Sequence, residues 1–265
     1  MLVDTHCHIH RRDFPLDLHE VLENAAVNDV MKIFCVGSDL KSSREAIEFQ
    51  QKFNNEFGVK IFTILGTHPH EAKNFTNDDE VDLRKLIREN QGTVKGIGEI
   101  GLDYFYEFSP RDKQIAVFEQ QLQIAIDHDL PVSFHVRDKT ETPAVFDDFW
   151  PIINNFPQIR GVMHSFTDTR ANLEIALSHG FYVGVNGIIT FNKNPVQTEM
   201  YRAISLDRIL LETDAPFLAP IPFRGKPDQP AYIKNIAEFL AEFANKSIQE
   251  IAEQTTKNAR ELFGT

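Results

Sequence analysis

The sequence predicts a single TIM-type (β/α)8 barrel domain over residues 1–265. Three observations favour this α/β fold class: eight short apolar, β-branched runs recur along the chain, polar segments with helical periodicity separate them, and the 265 residues are close to the ~250 that such a barrel needs. The runs are apolar on both faces, as buried parallel strands require. We expect strands at residues 2–5, 32–36, 61–65, 94–98, 132–135, 161–164, 181–185 and 209–212.

Helical periodicity is clearest between residues 110 and 129. One apolar stripe in this segment carries Ile115, Phe118, Leu122 and Ala125. Ser109 is expected to cap this helix, and Pro110 suits its first position because an N–H there would have no partner in the helix. Ser247 and Glu250 form the pattern of a capping box before a last helix. Further helices are predicted at residues 43–57, 78–90, 169–179 and 230–243.

The alternative to a barrel is a doubly wound open sheet. That fold would place a glycine-rich phosphate loop after the first strand, whereas here the strand runs through Asp4 into His6 without a glycine. No linker, low-complexity tract or internal repeat divides the chain. One barrel domain is therefore the simpler interpretation.

Composition narrows the class of protein. Lys and Arg number 27 against 39 Asp and Glu, so the formal net charge is -12, and the 42% of hydrophobic residues excludes a disordered chain. Binding of nucleic acid by bulk charge is disfavoured, so the positive charge for a phosphate would have to be local, as from a bound metal. No apolar run is long enough to cross a membrane, the N-terminus does not resemble a signal peptide, and Cys7 and Cys35 suit a reducing compartment. We expect a cytoplasmic protein with no membrane contact and no obligate protein partner.

Residues with metal-ligand chemistry stand at the carboxyl ends of the predicted strands: His6, His8, Glu99, His135, His164, Glu212 and Asp214. In a barrel these ends open onto one face, so residues that are distant in sequence converge. His6 and His8 are two positions apart and point to the same side of an extended strand. Imidazoles favour Zn, Mn or Ni, whereas carboxylates favour Mg, so the mixed set predicts a divalent metal without selecting one.

Two ions would suit this ligand set, in the arrangement that hydrolyses phosphate esters. Glu99 has two carboxylate oxygens and is a candidate bridge between the ions. Asp214 stands just after the apolar strand residues 209–211 and is either a ligand or the base that orients the attacking water. Glu99 and Asp214 are therefore the candidate catalytic residues.

Candidate substrate contacts follow the same strands. His70, with His68, ends the third strand. Arg137 would point the same way as His135 and could pair with a phosphate, and Arg224 follows the eighth strand, where barrels often bind phosphate.

Four aromatic residues crowd the loop after Glu99: Tyr104, Phe105, Tyr106 and Phe108. They would form a stacking platform for bases, a hydrophobic lid or a packing cluster, and Tyr104 is a candidate substrate contact. His10, just past the histidine pair, is either a substrate contact or an ordinary loop residue.

Together these stretches resemble the TatD family of metal-dependent deoxyribonucleases, among the amidohydrolase-type barrels. The similarity runs along nearly the whole chain. The matching stretches are Asp4-Thr5-His6-Cys7-His8, Gly66-Thr67-His68-Pro69-His70, Gly96-Ile97-Gly98-Glu99-Ile100-Gly101-Leu102-Asp103-Tyr104, His135-Val136-Arg137, His164-Ser165-Phe166, Glu212-Thr213-Asp214-Ala215-Pro216, Arg224-Gly225-Lys226 and Asn258-Ala259-Arg260-Glu261-Leu262-Phe263.

The resemblance implies a hydrolase with two cations. It assigns one ion to His6, His8, Glu99 and Asp214, and the second to Glu99, His135 and His164, with Glu99 bridging. Members are commonly magnesium-dependent 3'-5' exonucleases, so DNA, as single strands or 3' ends, is the expected substrate, with Mn, Zn or Ni as alternative metals. The sequence departs from the family pattern at His10, Thr67 and Asp228-Gln229, outside the ligand set, so these departures bear on the substrate.

Two other functions fit the sequence. One is a related barrel enzyme that hydrolyses a small-molecule ester, lactone or phosphoester. Its subtype with a carbamylated lysine on the fourth strand is disfavoured, because Glu99 stands at that strand end and Lys95 lies four residues earlier. The other is a non-catalytic binding module, which is disfavoured because a dead site has no need to bury charge.

Overall fold

The computed structural model describes residues 1–139 and 144–265, and in these residues eight parallel strands follow one another in chain order around a barrel. The strands are β1 Leu2–Cys7, β2 Val30–Val36, β3 Lys60–Leu65, β4 Val94–Asp103, β5 Val132–Arg137, β6 Gly161–Met163, β7 Tyr182–Val185 and β8 Ile209–Leu211. The α-helices are α1 Leu18–Val27, α2 Leu40–Phe53, α3 Asn77–Glu89, α4 Arg111–Asp127, α5 Val145–Asn154, α6 Arg170–Ser178, α7 Ile188–Phe191, α8 Pro195–Arg202, α9 Ile233–Ala244 and α10 Ile248–Phe263. Short 3-10 helices cover Glu56–Gly58, Pro69–Asn74, Leu206–Arg208 and Pro230–Tyr232. The predicted barrel is confirmed.

The first and last strands meet at their carboxyl ends. The Asp214 N–H donates to the His6 carbonyl at 2.9 Å, and the His8 N–H donates to the Ala215 carbonyl at 2.7 Å. These bonds join the segment after β8 to β1, so the histidine pair and Asp214 are held side by side by backbone contacts.

Two apolar layers stabilise the barrel. The larger one lies between the strands and the surrounding helices. The second draws residues from six strands and therefore fills the barrel interior: Val3, Phe34, Val36, Ile64, Val162, Tyr182 and Leu210. Ala259, Leu262 and Phe263 of α10 pack against it from the amino ends of the strands, with the Phe34 and Phe263 ring centres 4.7 Å apart.

Several predicted boundaries differ from the structure. Strand β4 continues five residues past its predicted end, so Glu99 lies within a strand. Ser109 does not cap α4; its hydroxyl instead donates to the His70 carbonyl at 2.7 Å and accepts from the Lys73 N–H. The capping box of Ser247 and Glu250 is confirmed.

Four helices were not among those predicted: α1, α5, α7 and α8. In α5, Pro151 and several β-branched and aromatic residues obscure the helical pattern. Among the described residues, no helix has both the length and the apolar character to span a bilayer.

Candidate metal centre

Four predicted ligands converge at the carboxyl end of the barrel, from the end of β1, the middle of β4 and the segment after β8. The Nε2 atoms of His6 and His8 lie 3.2 Å apart. Glu99 Oε2 lies 3.5 Å from His6 Nε2 and 3.8 Å from His8 Nε2. Asp214 Oδ1 faces the same two nitrogens at 3.9 and 3.4 Å. Two imidazole nitrogens and two carboxylate oxygens therefore surround one point.

The other oxygen of Glu99 faces the remaining two predicted ligands. Glu99 Oε1 lies 2.6 Å from His135 Nδ1 and 3.7 Å from His164 Nε2. His164 Nε2 is also 3.7 Å from Asp214 Oδ1. The structure thus brings all six predicted ligands together, with Glu99 placed between two subsets.

Polar contacts on the far side of the rings select the nitrogens that face the centre. His8 Nδ1 lies 2.7 Å from the Val36 carbonyl, which only accepts, so a neutral His8 presents a lone pair at Nε2. His164 Nδ1 lies 3.1 Å from Glu212 Oε1, and its Nε2 faces the centre in the same way. The Nε2 lone pairs of these two rings therefore point into the space between the carboxylate oxygens. A divalent cation in that space would accept the lone pairs and offset the negative charge.

The pKa values within the cluster are shifted in the directions expected when carboxylates and imidazoles are buried close together, as they are in a metal site. Burial raises the pKa of Glu99, but the charges of His164 and His135 outweigh it and hold this pKa well below its usual range. Burial lowers the pKa of His135 and of His164, yet Glu99 with Asp103 raises the first pKa to about 9, and Glu212 with Glu99 raises the second to about 10. A divalent cation would replace the protons on these two imidazoles, since metal binding to histidine releases protons.

Glu212, which the sequence places among the ligand-type residues, supports the cluster from behind. It is fully buried, and its Oε1 accepts the Ser165 N–H at 2.6 Å while facing His164. Gly184 makes room for it, because a Cβ at that position would overlap the Glu212 carboxylate. We therefore interpret Glu212 as a residue that orients His164.

His68 offers a hydrogen-bond donor at the same centre. Its Nδ1 accepts the backbone N–H of His70 at 3.1 Å, so a neutral ring carries its proton on Nε2. That nitrogen lies 3.8 Å from Glu99 Oε1 and lines the cavity. A protonated Nε2 donates a hydrogen bond and does not bind a metal, which suits His68 to a substrate contact.

The centre lies at a cavity of about 640 Å³. Two predicted substrate contacts, His70 and Arg137, line this cavity. Tyr104 does not: it is fully buried, and its hydroxyl donates to Asp148 Oδ2 at 2.7 Å. Tyr106 lines the cavity in its place, and the prediction for Tyr104 is corrected accordingly.

Arg224 also lies outside the residues that line the cavity. It is exposed, donates to the Ala219 carbonyl at 2.8 Å, and places its guanidinium 3.8 Å from the centre of the Phe191 ring. Stacking on Phe191 gives this guanidinium a partner outside the cavity, and the role of Arg224 as a substrate contact stays a prediction.

The departures from the family pattern lie around the centre. His10 is buried, with Nε2 3.1 Å from the Ser42 hydroxyl, and does not line the cavity. Thr67 is buried, and both of its backbone polar groups bond to Gln121. Asp228 is buried and its Oδ1 accepts the Gln229 N–H at 2.8 Å. None of these residues lines the cavity, and none is among the six predicted ligands.

Comparison with known proteins agrees with this geometry. The sequence model of a family described as "TatD related DNase" matches residues 3–264. A Bacillus subtilis protein described as the uncharacterized metal-dependent hydrolase YabD is 36% identical over 265 residues, covering 99% of each chain. A Rahnella protein described as the 3'-5' ssDNA/RNA exonuclease TatD is 34% identical over 256 residues, covering 94% of this chain and 93% of that one. The crystal structure of YJJV, a TatD homologue from Escherichia coli, has a TM-score of 0.87 at 26% identity, covering 100% of this chain and 98% of the other.

Proposed function

The chain belongs to the family of TatD-related deoxyribonucleases and is a metal-dependent hydrolase, and from this premise we propose that it is a 3'-5' exonuclease acting on single-stranded DNA or 3' ends. The observation that carries the proposal is the convergence of six ligand side chains at a cavity whose rim is aromatic. We propose that two divalent cations are held there, with Mg as the first candidate and Mn, Zn or Ni as alternatives.

The rim supports nucleic acid as the substrate. Phe105, Tyr106, Phe108 and Phe217 are 40%, 46%, 55% and 52% exposed, although large aromatic side chains are usually buried. The Arg137 guanidinium lies 4.4 Å from the Phe105 ring centre and 4.9 Å from that of Tyr106. Aromatic faces stack on unpaired bases, and a neighbouring arginine binds phosphate, so this surface supplies the local positive charge that an acidic chain needs.

The residues of the centre have distinct roles in the proposed reaction. His6, His8, Glu99 and Asp214 would hold one cation, and Glu99, His135 and His164 the other. Divalent cations supply a lowered pKa for water and neutralise charge on the phosphate. Asp214 Oδ1 lies among three histidines and is placed to accept a proton from the attacking water.

Substrate contacts complete this mechanism. His68 Nε2–H is placed to donate to a non-bridging phosphate oxygen, and Arg137 to pair with the next phosphate along the strand. These groups would stabilise the charge that builds on phosphorus as the bond to the terminal nucleotide breaks.

Asp214→Asn tests the proposal. The purified protein with Mg²⁺ or Mn²⁺ should shorten a 5'-labelled single-stranded oligonucleotide from its 3' end, and the variant should lose this activity by at least about 10³-fold, because groups that act as a unit fail together. Asp207→Asn is the matched control, since Asp207 is exposed and precedes β8, whereas Asp214 follows it. Full activity in Asp214→Asn would contradict the mechanism.

The small-molecule alternative is an outcome of the same assay. Ester, lactone and phosphoester substrates are tested in parallel with DNA. Hydrolysis of one of these, lost in Asp214→Asn while DNA stays intact, would replace the nuclease by a small-molecule hydrolase at the same centre.

A further inference from the structure

One buried carboxylate contacts both the metal-ligand cluster and the aromatic rim. Asp103, the last residue of β4, has no exposed surface. Its Oδ2 lies 2.9 Å from His135 Nε2 and 2.9 Å from His70 Nε2. Its Oδ1 accepts the backbone N–H groups of Phe105 and Tyr106, both at 3.0 Å. Each oxygen of this carboxylate therefore serves a different part of the site.

The contact to His135 fixes the proton on that ring. An ionised carboxylate can only accept, so both histidines that approach Oδ2 must donate from Nε2. A neutral His135 then keeps its lone pair on Nδ1, the nitrogen that lies 2.6 Å from Glu99 Oε1. Asp103 thus selects the ring nitrogen that faces the proposed metal.

The contact to the backbone fixes the turn that carries the rim. Tyr106 lines the cavity, and its ring centre lies 5.5 Å from that of His70. Gln114 holds Asp103 in turn: its Oε1 accepts the Asp103 N–H at 2.7 Å, and its Nε2 donates to the Asp103 carbonyl at 3.0 Å. Because Gln114 binds both backbone polar groups of Asp103, the backbone that carries the carboxylate is fixed in position.

We propose that Asp103 is a positioning residue that couples the metal centre to the substrate rim, by holding His135 in its metal-binding tautomer with one oxygen and the Tyr106 turn with the other. The inference rests on the proposed function for its substrate side. Its metal side depends only on the ligand cluster.

Asp103→Asn separates the two contacts. Its amide oxygen can still accept from Phe105 and Tyr106, but the NH2 group that replaces Oδ2 donates, so His135 must move its proton to Nδ1. We expect Mn²⁺ affinity at one of the two sites to fall by about 10–100-fold, as found when groups that orient metal ligands are removed. The measurement is calorimetric titration of Mn²⁺ into metal-free protein, which requires no catalysis.

Two further variants and a control complete the titration. His70→Leu leaves the bond between Asp103 and His135 intact and should keep wild-type Mn²⁺ affinity. Asp103→Ala removes both contacts. It should therefore lower the Mn²⁺ affinity and also raise the KM for oligonucleotide. Asp168→Asn is the matched control, because Asp168 lies in the loop after β6 and its carboxylate accepts from the Thr169 N–H and the Asn172 side chain.

Wild-type affinity in Asp103→Asn, or an equal loss in His70→Leu, would overturn the proposal. Should Asp103→Asn fail to fold, the proton on His135 is located by 15N NMR in the zinc-loaded wild-type protein. A proton on Nε2 supports the assignment, and one on Nδ1 overturns it. If the wild-type protein cleaves no DNA, the proposed exonuclease fails, while the titration still decides the role of Asp103.

Discussion

Two cavities of nearly equal volume lie at opposite ends of the barrel. The one at the carboxyl ends of the strands measures about 640 Å³ and lies over the histidine and carboxylate cluster. The other, at the amino ends, measures about 650 Å³ and is lined by α10 and the chain start, with Met1, Val27 and Ile248 among its exposed apolar residues. In the described residues, the three groups of histidines and carboxylates that are close enough together to hold a metal ion all lie at or directly beneath the first cavity. Volume therefore does not distinguish the functional end, and side-chain chemistry does.

The difference extends into the barrel interior. Below the metal centre the interior is filled by apolar side chains such as Phe34 and Leu210, and α10 closes it. At the other end the same strands bury imidazoles and carboxylates, which cost free energy unless paired or bound to a cation. One end thus stabilises the fold, and the other holds the residues of the proposed chemistry, as in barrel enzymes generally.

The largest effect that would test this division is on stability. Phe34→Ala should lower the free energy of unfolding by about 3–5 kcal/mol, because it removes a fully buried ring packed against Phe62 and Phe263 and leaves a cavity. Urea unfolding measures the loss, and kcat per folded molecule should stay unchanged.

Phe217→Ala is the control at the other end. This residue is about half exposed at the substrate cavity, so its loss should change stability by less than about 0.5 kcal/mol. It should instead raise KM for oligonucleotide. If Phe34→Ala lowers kcat, or if Phe217→Ala unfolds the protein, the two ends are not separate in function.

The sequence predicted all eight strands, but it placed the end of one strand, β4, five residues too early. Their apolar, β-branched runs mark all eight, because a parallel strand is buried on both faces. The exception is β4, whose second half follows two glycines, contains a third at Gly101, and so looks like a loop. The structure pairs Gly101 with His135, where a Cβ would overlap the His135 carbonyl. Glycine is required there by close backbone approach, which the sequence alone does not show.

The candidate ligands were also predictable, because barrel topology brings strand ends together. The positions of the side chains that follow Glu99 were not predictable from the sequence. The pairing of β4 shifts register between Ile97 and Ile100, so the alternation of side chains along the strand cannot be extrapolated across it. Tyr104 was expected at the substrate because the aromatic segment after Glu99 looked like a loop beside the site, whereas in the structure Asp103 makes the contacts to His70 and His135. The metal and catalytic roles of the ligands remain predictions.

The second effect concerns pH and metal. The pKa values of His135 and His164 are raised to about 9 and about 10, so Mn²⁺ must displace two protons below those values. Apparent affinity should then rise with pH by up to about 100-fold per unit between neutral pH and about 9. Calorimetry in buffers of different ionisation enthalpy counts the protons released, and an affinity independent of pH would contradict the ligand assignment.

The same shifts make the metal-free protein less stable at high pH. A histidine whose folded pKa is raised contributes stability that is complete below its ordinary pKa of 6.5 and is lost as pH rises through the folded value. Asp228 acts in the same direction, since burial raises its pKa to about 9 and its ionisation opposes folding. Urea midpoints of chelator-treated protein should fall as pH rises from 6.5 to about 9, and saturating Mn²⁺ should reduce the fall.

The smallest effect compares two exposed arginines, one at each cavity. Arg137 lies at the substrate cavity against Phe105 and Tyr106, whereas Arg260 lines the opposite cavity on α10. Both alanine substitutions change the net charge by the same amount, so a difference between the two variants reports the position of the arginine and not the overall charge.

Arg137→Ala should raise the KM for single-stranded oligonucleotide by about tenfold with kcat little changed, because one charge-assisted contact to a phosphate is lost. The slope of log KM against log salt should fall by about 0.7, the value for one phosphate of a single strand, and Arg260→Ala should leave both quantities unchanged. Equal effects of the two variants would mean that DNA responds to the field of the whole protein, and the aromatic rim would then lose its assignment as the path of the substrate strand.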